Sequence, residues 1–457
     1  MKTYAKLCTL AALGLPTLAA AKQQPNVIII FTDDQGYQDL GCYGSPNIKT
    51  PNIDAMAENG VRFTDFYVTA SVSSASRAGL LTGRLNTRNG APNVFWPNEP
   101  GMPLSEVTIA QALKQSGYTT ACFGKWHLGD LPESRPTSRG FDEYLGIPYS
   151  NDMWIGGTQP LSKDITLREG YTLDSVKEFQ SKSTVANKKM IIRQGNRNQV
   201  PLMKNTEVIE YPCDQATTTQ RYFDAAIDFI SNAKKQPFFI YITPAMPHWP
   251  LFASDDFKGK SERGLYGDVI EEIDFNVGKL LDYLKKNKLD KNTLVIFTSD
   301  NGPWIKKKEE GGSARPLRDG KFSLFEGGVR MPCVMQWSGT IPKGKTSNAI
   351  ISSLDFFPTI MEMAGNKTEH DLDGKSQLEL LKDPENASKS SRNVYYYVSG
   401  GNVRGVREGD WKYLIHKNVP MLFNLRDDIS EKKNLAAQNP EKVAHLQELI
   451  EKAPKND

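Results

Sequence analysis

Near the start of the chain, six apolar or β-branched residues are followed directly by two carboxylates: Val27-Ile28-Ile29-Ile30-Phe31-Thr32-Asp33-Asp34. A continuous run of this kind, with no alternation of polar residues, is typical of a strand that is buried on both faces, as the central strands of parallel sheets are. The segment therefore predicts a central parallel strand that carries a pair of acids at its carboxyl end.

Three more runs of the same character occur later in the chain, at residues 119–123, 238–243 and 294–298. Helical patterns alternate with them, and we predict helices over residues 50–60, 105–117, 218–233 and 268–284. This alternation indicates an α/β fold with a central, mostly parallel sheet that is flanked by helices.

Side chains with catalytic or ligand chemistry follow each of the four runs. In chain order they are Asp33-Asp34, Lys125-Trp126-His127, His248 and Asp300-Asn301. Open parallel sheets place their ligand sites at the carboxyl ends of the strands. Because turns are polar in any protein, one such coincidence carries little weight, but four of them predict that these side chains converge on one site.

The pattern changes beyond residue 341. We predict a large domain over residues 22–341 and a smaller α+β C-terminal subdomain over residues 342–457, which contains an antiparallel sheet. Within it, residues 353–364 and 439–452 indicate helices, and residues 393–399 and 403–415 indicate a pair of antiparallel strands. Residues 156–215 are polar and irregular in pattern, and we expect a loop-rich insertion there.

The N-terminus predicts export. Lys2 and Lys6 precede an apolar stretch, and three alanines at 19–21 follow it, which is the layout of a cleaved secretory signal over residues 1–21. The alternative is a short buried helix. We expect a periplasmic or secreted protein without an integral membrane segment once the signal is removed, because no other run is long enough to span a bilayer.

Composition excludes several function classes. The 457 residues contain 56 Lys and Arg against 53 Asp and Glu, so the basic excess that nucleic-acid binding needs is missing, and no nucleic-acid partner is expected. Five scattered cysteines are too few for a disulfide framework or a zinc site.

The acids of the first and fourth runs indicate a metal site. Asp33 and Asp34 would repel each other in a crevice of low dielectric constant. With Asp300 and Asn301 they form an all-oxygen donor set, which suits a hard cation, and flexible carboxylate coordination favours Ca²⁺ over Mg²⁺. The alternative is that these aspartates only cap turns and helices.

The strongest motif is Ser73-Ser74-Ala75-Ser76-Arg77-Ala78-Gly79-Leu80-Leu81-Thr82-Gly83-Arg84. It indicates a loop of small residues that enters a short helix, which Gly83 ends. Ser73 then lies near a helix N-terminus, where backbone N–H groups and the positive end of the dipole attract an anion. Arg77 adds a fixed positive charge one turn further on.

This string resembles the signature of the type I sulfatases, (Cys or Ser)-x-(Pro or Ala)-Ser-Arg followed by x-x-x-Leu-Thr-Gly-Arg, whose first residue is oxidised to Cα-formylglycine. Ser73 occupies that place. The resemblance continues along most of the chain, through the residues at 50–54, 124–129, 247–248, 299–302, 320–321 and 326–328. It implies an alkaline-phosphatase-like α/β sandwich with a smaller C-terminal subdomain.

The resemblance also implies a set of site residues. One Ca²⁺ would be bound by Asp33, Asp34, Asp300, Asn301 and the modified residue 73. The sulfate would be surrounded by Arg77, Lys125, His127, His248 and Lys321. Taken singly, the two lysines are equally explained as surface residues and the two histidines as structural loop residues.

In the scheme that the resemblance implies, an aldehyde at position 73 is hydrated and one of its oxygens attacks sulfur. Lys125, Lys321 and Ca²⁺ stabilise the sulfuryl oxygens. His248, or alternatively Lys321, protonates the departing alcohol, and His127 takes the proton that lets sulfate leave and the aldehyde return.

A serine at position 73 implies a serine-type bacterial member of the family. Its partner would be a radical-SAM formylglycine-generating maturase, an iron–sulfur system that needs no oxygen, and a host without it would leave Ser73 unmodified. One stretch departs from the family pattern: Phe322-Ser323-Leu324-Phe325 is bulkier than the small or hydroxyl residues that are common there.

Residues 147–152, 207–214 and 264–268 resemble the arylsulfatase A and N-acetylgalactosamine-sulfatase branch. The implied substrate is a sulfated carbohydrate with a galactose or N-acetylgalactosamine type sugar. Polar and aromatic residues beside the sulfate suit sugar recognition, although a structural role is equally open for each of them: Asn151, Asp152, Trp304, Arg318 and Asp319.

Two other functions remain open. One is a phosphodiesterase or phosphonate hydrolase of the alkaline phosphatase superfamily, and the other is a non-catalytic binder of sulfated glycans that keeps an unmodified Ser73. We find no additional His and Asp ligands for a second metal, which favours the sulfatase.

Overall fold

A computed structural model describes residues 24–195, 198–233, 236–366 and 370–455. Within these ranges a twelve-stranded sheet has the order β11-β2-β10-β9-β1-β8-β3-β4-β6-β7-β5, with β12 also paired to β2. Its strands are β1 (Asn26–Thr32), β2 (Val61–Tyr67), β3 (Thr119–Gly124), β4 (Glu143–Gly146), β5 (Leu161–Leu167), β6 (Leu202–Lys204), β7 (Glu207–Tyr211), β8 (Phe238–Thr243), β9 (Thr293–Ser299), β10 (Arg330–Gln336), β11 (Lys345–Ser347) and β12 (Ile351–Ser352).

The first apolar run forms the centre of this sheet. β1 pairs in parallel with β8 on one side and with β9 on the other, and all seven of its residues are buried. Its side chains alternate between two cores: Val27, Ile29 and Phe31 pack on one face, and Ile28 and Ile30 pack on the other. Full burial of each isoleucine contributes roughly 1.5–3 kcal/mol, which explains why an unbroken apolar run occupies this position.

Helices cover both faces of the sheet. Leucines of α2 and α3 belong to the core on one face, and apolar residues of α1, α6 and α7 belong to the core on the other. The helices are α1 (Pro51–Glu58), α2 (Ser73–Thr82), α3 (Ile109–Lys114), α4 (Leu173–Lys182), α5 (Lys188–Arg193), α6 (Gln215–Asn232), α7 (Leu265–Lys286), α8 (Glu326–Val329), α9 (Phe356–Met363), α10 (Leu378–Lys382) and α11 (Pro440–Glu451). The predicted α/β sandwich is confirmed.

A four-stranded antiparallel sheet follows in the C-terminal part of the chain, in the order β13-β14-β15-β16. Its strands are β13 (Val394–Ser399), β14 (Asn402–Glu408), β15 (Trp411–His416) and β16 (Val419–Asn424). The expectation of two strands was wrong for two reasons: a turn in which Gly409 has φ +55° breaks the predicted run 403–415 into β14 and β15, and β16 lies beyond both predicted runs.

Two further expectations about local structure were wrong. The loop-rich insertion expected at residues 156–215 instead contains two helices, α4 and α5, and three strands, β5, β6 and β7. β5 and α4 are largely exposed, and β6 is only three residues long, so these elements show little apolar periodicity. The helix expected from residue 105 begins at Ile109, after Thr108 and Gln111 form a capping box.

Strands β11 and β12 pair with β2 of the large sheet, although they lie beyond residue 341. The division of the chain at 341/342 stays a prediction. The proposed signal at residues 1–21 lies outside the described residues. In the part of the chain that is described, no helix has the length and apolar character that a membrane crossing requires. The four cysteines there are unpaired.

Candidate active site

The acids that follow β1 and β9 meet at the carboxyl edge of the large sheet. The two strands are parallel neighbours in register along the whole of β1, so the residues after them arrive side by side. The backbone N–H of Asp34 donates to Asp300 Oδ1 at 3.1 Å, and Asn301 Nδ2 donates to Asp34 Oδ1 at 2.7 Å. Carboxylate oxygens of Asp33, Asp34 and Asp300 all lie within 4.8 Å of one another. The structure thus brings these four residues together.

Burial and the neighbouring cations together shift the pKa values of this acidic cluster, whose members are at most 2% exposed. Burial raises the pKa of Asp34 to about 7; Lys321 opposes the shift and the two other carboxylates add to it. Burial and the Asp33 carboxylate also raise the pKa of Asp300. Burial alone would raise the pKa of Asp33, but cations, above all Lys125, bring it well below its usual value. Three buried carboxylates that repel each other form a donor set that fits a hard divalent cation such as Ca²⁺.

Ser73 lies directly against this cluster. It is the first residue of α2, a helix whose ten residues are all buried. Its Oγ donates to Asp33 Oδ1 at 3.0 Å and lies 3.4 Å from Asn301 Oδ1, and Lys125 Nζ donates to the same Oγ at 3.3 Å. No side chain caps the helix, so its first N–H groups and the positive end of its dipole lie beside Ser73.

Arg77 lies one turn further along α2 and is fully buried. Its Nε and Nη2 donate to Asp300 Oδ2 at 3.1 and 2.9 Å, and Nη1 donates to the carbonyl of Lys125 at 3.2 Å. The rigid planar guanidinium therefore holds Asp300 in place and offsets one negative charge of the acidic cluster.

Two lysines reach the cluster from different parts of the chain. Lys125 follows β3, and its ammonium pairs with Asp33. Lys321 comes from the turn before α8, and its Nζ lies 2.7 Å from Asp34 Oδ2. Burial lowers the pKa of Lys125. For Lys321 burial is again the largest single effect and lowers the pKa, but the carboxylates of Asp34, Asp33 and Asp300 together outweigh it, so its pKa is raised.

His248 is oriented by the residues that follow β4. Asn151 Oδ1 lies 2.8 Å from His248 Nδ1, and Asn151 Nδ2 donates to the carbonyls of His248 and Pro250. Because the amide nitrogen is used in this way, the amide oxygen accepts from Nδ1–H and leaves Nε2 directed to the site, 3.7 Å from Asp34 Oδ2. Burial, with Lys321, lowers the pKa of His248 to about 3.

Sequence reasoning missed Ser150 as a site residue. Its Oγ lies 3.3 Å from Lys125 Nζ and 3.3 Å from His248 Nε2. The signal that would have found it is β4, a parallel neighbour of β3 that delivers Ser150 and Asn151 to the same edge of the sheet. This strand is only four residues long, so its sequence pattern could not be distinguished from that of the surrounding turns.

His127 lies at the periphery of this arrangement. It has φ +60°, its Nε2 lies 3.1 Å from the carbonyl of Phe95, and its ring meets that of Tyr149 edge-on at 5.8 Å. Its buried Nδ1 has no hydrogen-bond partner among the described residues. Burial and the neighbouring Lys125 hold the pKa of His127 well below its usual value, so the imidazole is neutral with one nitrogen open to accept a proton.

Comparison with known protein families identifies the family to which the chain belongs. The family described as "Sulfatase" matches residues 25–366, which is most of the chain and spans every residue placed above. The chain belongs to the sulfatase family. A second family, described as "N-sulphoglucosamine sulphohydrolase, C-terminal", matches residues 318–455. The protein is therefore a sulfuric ester hydrolase.

Similar sulfatases are found in animals. The chain is 38% identical to bovine (Bos taurus) arylsulfatase A over 93% of its own length and 85% of that protein. It is 37% identical to the rat (Rattus norvegicus) N-acetylgalactosamine-6-sulfatase over 89% of its length and 74% of that protein. The resemblance to type I sulfatases is confirmed, whereas the serine-type bacterial branch stays a prediction.

Solved structures agree with this assignment. The crystal structure of Ps i-CgsB in complex with k-i-k-neocarrahexaose superposes with a TM-score of 0.76 at 32% identity, covering 94% of this chain and 92% of that one. PsFucS1 sulfatase from Pseudoalteromonas sp. gives a TM-score of 0.79 at 27% identity, covering 95% and 92%. The alkaline-phosphatase-like architecture of the sulfatase is confirmed.

The five sugar-subsite candidates of this sulfatase fall into two groups. Asn151 and Asp152 are buried, and Trp304 lies beside the site, with its ring 5.9 Å from that of His248. Arg318 contacts other parts of the molecule, and Asp319 bonds only to its own turn among the described residues. The Arg318 guanidinium donates to the carbonyl of Glu431 and stacks on Phe325, and Asp319 is exposed and accepts from the next N–H. These contacts support a structural role for Arg318.

Proposed function

We propose that this sulfatase removes sulfate from a galactose or N-acetylgalactosamine type sugar of a sulfated glycan, with a formylglycine made from Ser73 and one bound Ca²⁺. The observation that carries the proposal is the position of Ser73 Oγ, which lies between an acidic cluster and a lysine ammonium. The names of the relatives support the sugar class, because they include an N-acetylgalactosamine-6-sulfatase and a protein solved with neocarrahexaose.

Asp33, Asp34, Asp300 and Asn301, together with residue 73, would hold the cation. Bound Ca²⁺ would supply a positive charge that lowers the cost of an anionic nucleophile and of charge on the sulfuryl oxygens. Hydrated formylglycine would supply the attacking oxygen and also a second hydroxyl on the same carbon, which serine lacks and which lets sulfate leave as the aldehyde returns. The chain prepares this position by burying the acids and fixing Asp300 with Arg77.

The two lysines position and stabilise the sulfate. In the structure they pair with Asp33 and Asp34; once a cation compensates those carboxylates, the ammonium groups can donate to a sulfate that enters between them. Preorganised donors of this kind contribute about 3–4 kcal/mol each to transition-state stabilisation. Ser150 keeps Lys125 Nζ and His248 Nε2 close to each other.

The histidines have separate roles in proton transfer. His248 presents Nε2 to the site while Asn151 holds its Nδ1–H, so a proton gained at Nε2 passes to the departing alcohol. The negative charge of a bound sulfate raises the pKa of His248 and helps Nε2 to take up that proton; the Lys321 ammonium is the alternative donor. His127 is neutral and has a free Nδ1, which suits the base that accepts the proton from residue 73.

The proposal extends to the cell. The N-terminal pattern indicates a periplasmic or secreted enzyme, and Ser73 requires a radical-SAM maturase as a partner before export. Coexpression with and without such a maturase tests this. We expect sulfate release only from the coexpressed protein, and equal rates from both preparations would contradict the requirement.

The experiment that tests the function compares matched sulfate and phosphate monoesters, followed by monosaccharides that carry one sulfate at a defined carbon. The matured enzyme should release sulfate far faster than phosphate, and should release it from galacto-configured sugars. Ser73→Ala is the matched control, because it keeps the fold but removes the reacting oxygen. Faster release of phosphate would support the phosphodiesterase alternative, and binding of glycan without release of either ion would support a non-catalytic binder.

A further inference from the structure

A cleft of about 500 Å³ separates the turn after Lys321 from the edge of the C-terminal sheet. The lining side chains that bear on its function are Asp319, Phe322, Asn402, Arg404, His416 and Lys417. Asp319 and Phe322 belong to the turn that also carries Lys321. Asn402 and Arg404 lie on β14, His416 ends β15, and Lys417 lies in the turn after it. The cleft therefore begins beside the candidate active site and ends on the C-terminal sheet.

Phe322 is unusual in two respects. Its backbone has φ +71°, a region that a bulky side chain adopts at a cost of about 1–2 kcal/mol, and its side chain is 57% exposed. A hydrogen bond from its N–H to the carbonyl of Ser71 holds the backbone in place. A strained, exposed phenylalanine contributes little to folding stability, so its position calls for another explanation.

The ring of Phe322 stands next to the catalytic pocket. Lys321 Nζ lies 5.4 Å from its centre, and the ring of Trp304 meets it edge-on at 5.7 Å. Aromatic rings beside a polar site provide the flat apolar surface on which the C–H face of a sugar packs.

The far end of the cleft is positively charged. Arg404 and Lys417 are exposed, and among the described residues no carboxylate lies within ion-pair distance of either. Lys417 has φ +49° in the tight turn between β15 and β16, which fixes the place from which its side chain extends. Asp319 is the only acid among the six lining residues named above. A cleft of this charge attracts an anionic ligand.

We propose that this cleft binds the neighbouring sugar of an anionic glycan, with Phe322 stacking on the sugar that loses its sulfate and with Arg404 and Lys417 pairing with a sulfate or carboxylate on the next residue. The inference rests on the proposed function, because it requires a glycan in the catalytic pocket. It makes charged oligosaccharides, rather than monosaccharides, the preferred substrates.

The test compares kcat and KM of the matured enzyme on a sulfated galacto-tetrasaccharide and on a sulfated monosaccharide. The double variant Arg404→Ala/Lys417→Ala should raise KM for the tetrasaccharide about three- to tenfold, the size expected for two exposed ion pairs, and leave kcat and the monosaccharide unchanged. High salt should reduce the difference. Lys291→Ala is the control, since Lys291 precedes β9 at the opposite edge of the sheet. An unchanged KM for the tetrasaccharide, or equal changes for both substrates, would overturn the proposal.

The variant Phe322→Asn tests separately whether the Phe322 ring stacks on the sugar that loses its sulfate. Asparagine tolerates positive φ better than phenylalanine, so the variant should unfold at the same or a higher temperature, while kcat/KM falls for both sugar substrates and not for a small aryl sulfate. An unchanged kcat/KM for the sugars would remove Phe322 from the proposal.

A direct binding measurement separates this inference from the proposed function. The inactive Ser73→Ala variant is titrated with the sulfated tetrasaccharide and with its desulfated form. If only the sulfated form binds, and Arg404→Ala/Lys417→Ala weakens that binding, the result supports glycan binding in the cleft. This holds even if the enzyme releases no sulfate from any sugar. Equal binding of the two forms would refute the proposal that the cleft binds an anionic sugar, even if the enzyme proves to be a glycan sulfatase.

Discussion

Replacement of Lys412 by methionine should weaken the attachment of the C-terminal sheet to the large domain. Lys412 is a fully buried residue of β15, and its Nζ lies 3.0 Å from Glu326 Oε1 and 2.6 Å from Glu431 Oε1. Glu326 begins α8, so this ammonium joins two carboxylates from different parts of the chain. Methionine fills a similar volume without the charge.

The expected loss of stability follows from the hydrogen bonds that the two carboxylates still accept in the variant. Glu326 still accepts from the hydroxyl groups of Tyr67 and Tyr397, whereas the one partner that Glu431 keeps among the described residues is the backbone N–H of Glu326, at 2.7 Å. Removing one partner of a buried ion pair costs about 3–5 kcal/mol. The free energy of unfolding should therefore fall by about that amount.

The loss should depend on pH. Burial and the Glu326 carboxylate raise the pKa of Glu431 to about 7 from its usual 4.5, although Lys412 lowers it. A carboxyl with a raised pKa stabilises the fold fully below pH 4.5, and that contribution is lost as the pH rises through about 7. Without Lys412 the pKa of Glu431 rises further, so the variant should lose about 1–2 kcal/mol more at pH 8 than at pH 6.

Urea unfolding followed by tryptophan fluorescence at pH 6 and pH 8 measures both effects. Lys382→Met is the control, because Lys382 forms an exposed ion pair with Glu379 and should change stability by less than about 0.5 kcal/mol. The double variant Lys412→Met/Glu431→Gln should recover part of the loss and its pH dependence. A loss below about 1 kcal/mol, or an equal loss at the two pH values, would refute this account of the interface.

Three other predictions concern the active site. Arg77→Lys should lower kcat at least about 100-fold, because lysine cannot make the two-nitrogen contact with Asp300; a loss below tenfold in steady-state assays would refute this. Asn151→Leu should lower kcat for alkyl sulfates much more than for activated aryl sulfates, since only alkyl leaving groups need the proton of a correctly oriented His248; equal losses on the two substrate classes would count against it. Chelation of Ca²⁺ should lower the melting temperature, because an ion that binds only the folded state stabilises it, and added Ca²⁺ should restore it; a calorimetric scan that is insensitive to calcium would exclude a site of this kind.

The central strands could be predicted because a strand that is buried on both faces has an unbroken run of apolar residues. All four apolar runs became strands, and the residues after them reached one edge of the sheet. β5 and α4 were not predicted, since both are largely exposed and their side chains need no apolar periodicity. The turn at Gly409 was missed for a related reason: apolar residues continue on both sides of it.

The site was predictable only in part. Asp33, Asp34, Asp300 and Ser73 follow long strands or begin a helix, and their convergence follows from the topology. Ser150 was missed because it follows a strand of only four residues. The partner of Arg318 is the carbonyl of Glu431, 113 residues later, and no local pattern signals a contact over such a separation.

The central claim is that catalysis depends on an aldehyde at position 73. The measurement that tests it most directly is intact mass analysis of the peptide that spans position 73, made on the same preparations in which sulfate release is assayed. We predict that the rate of release rises in proportion to the fraction of peptide that is two hydrogens lighter than the serine form, and that it vanishes when that fraction is zero. Full activity in a preparation that contains only unmodified Ser73 would contradict the account.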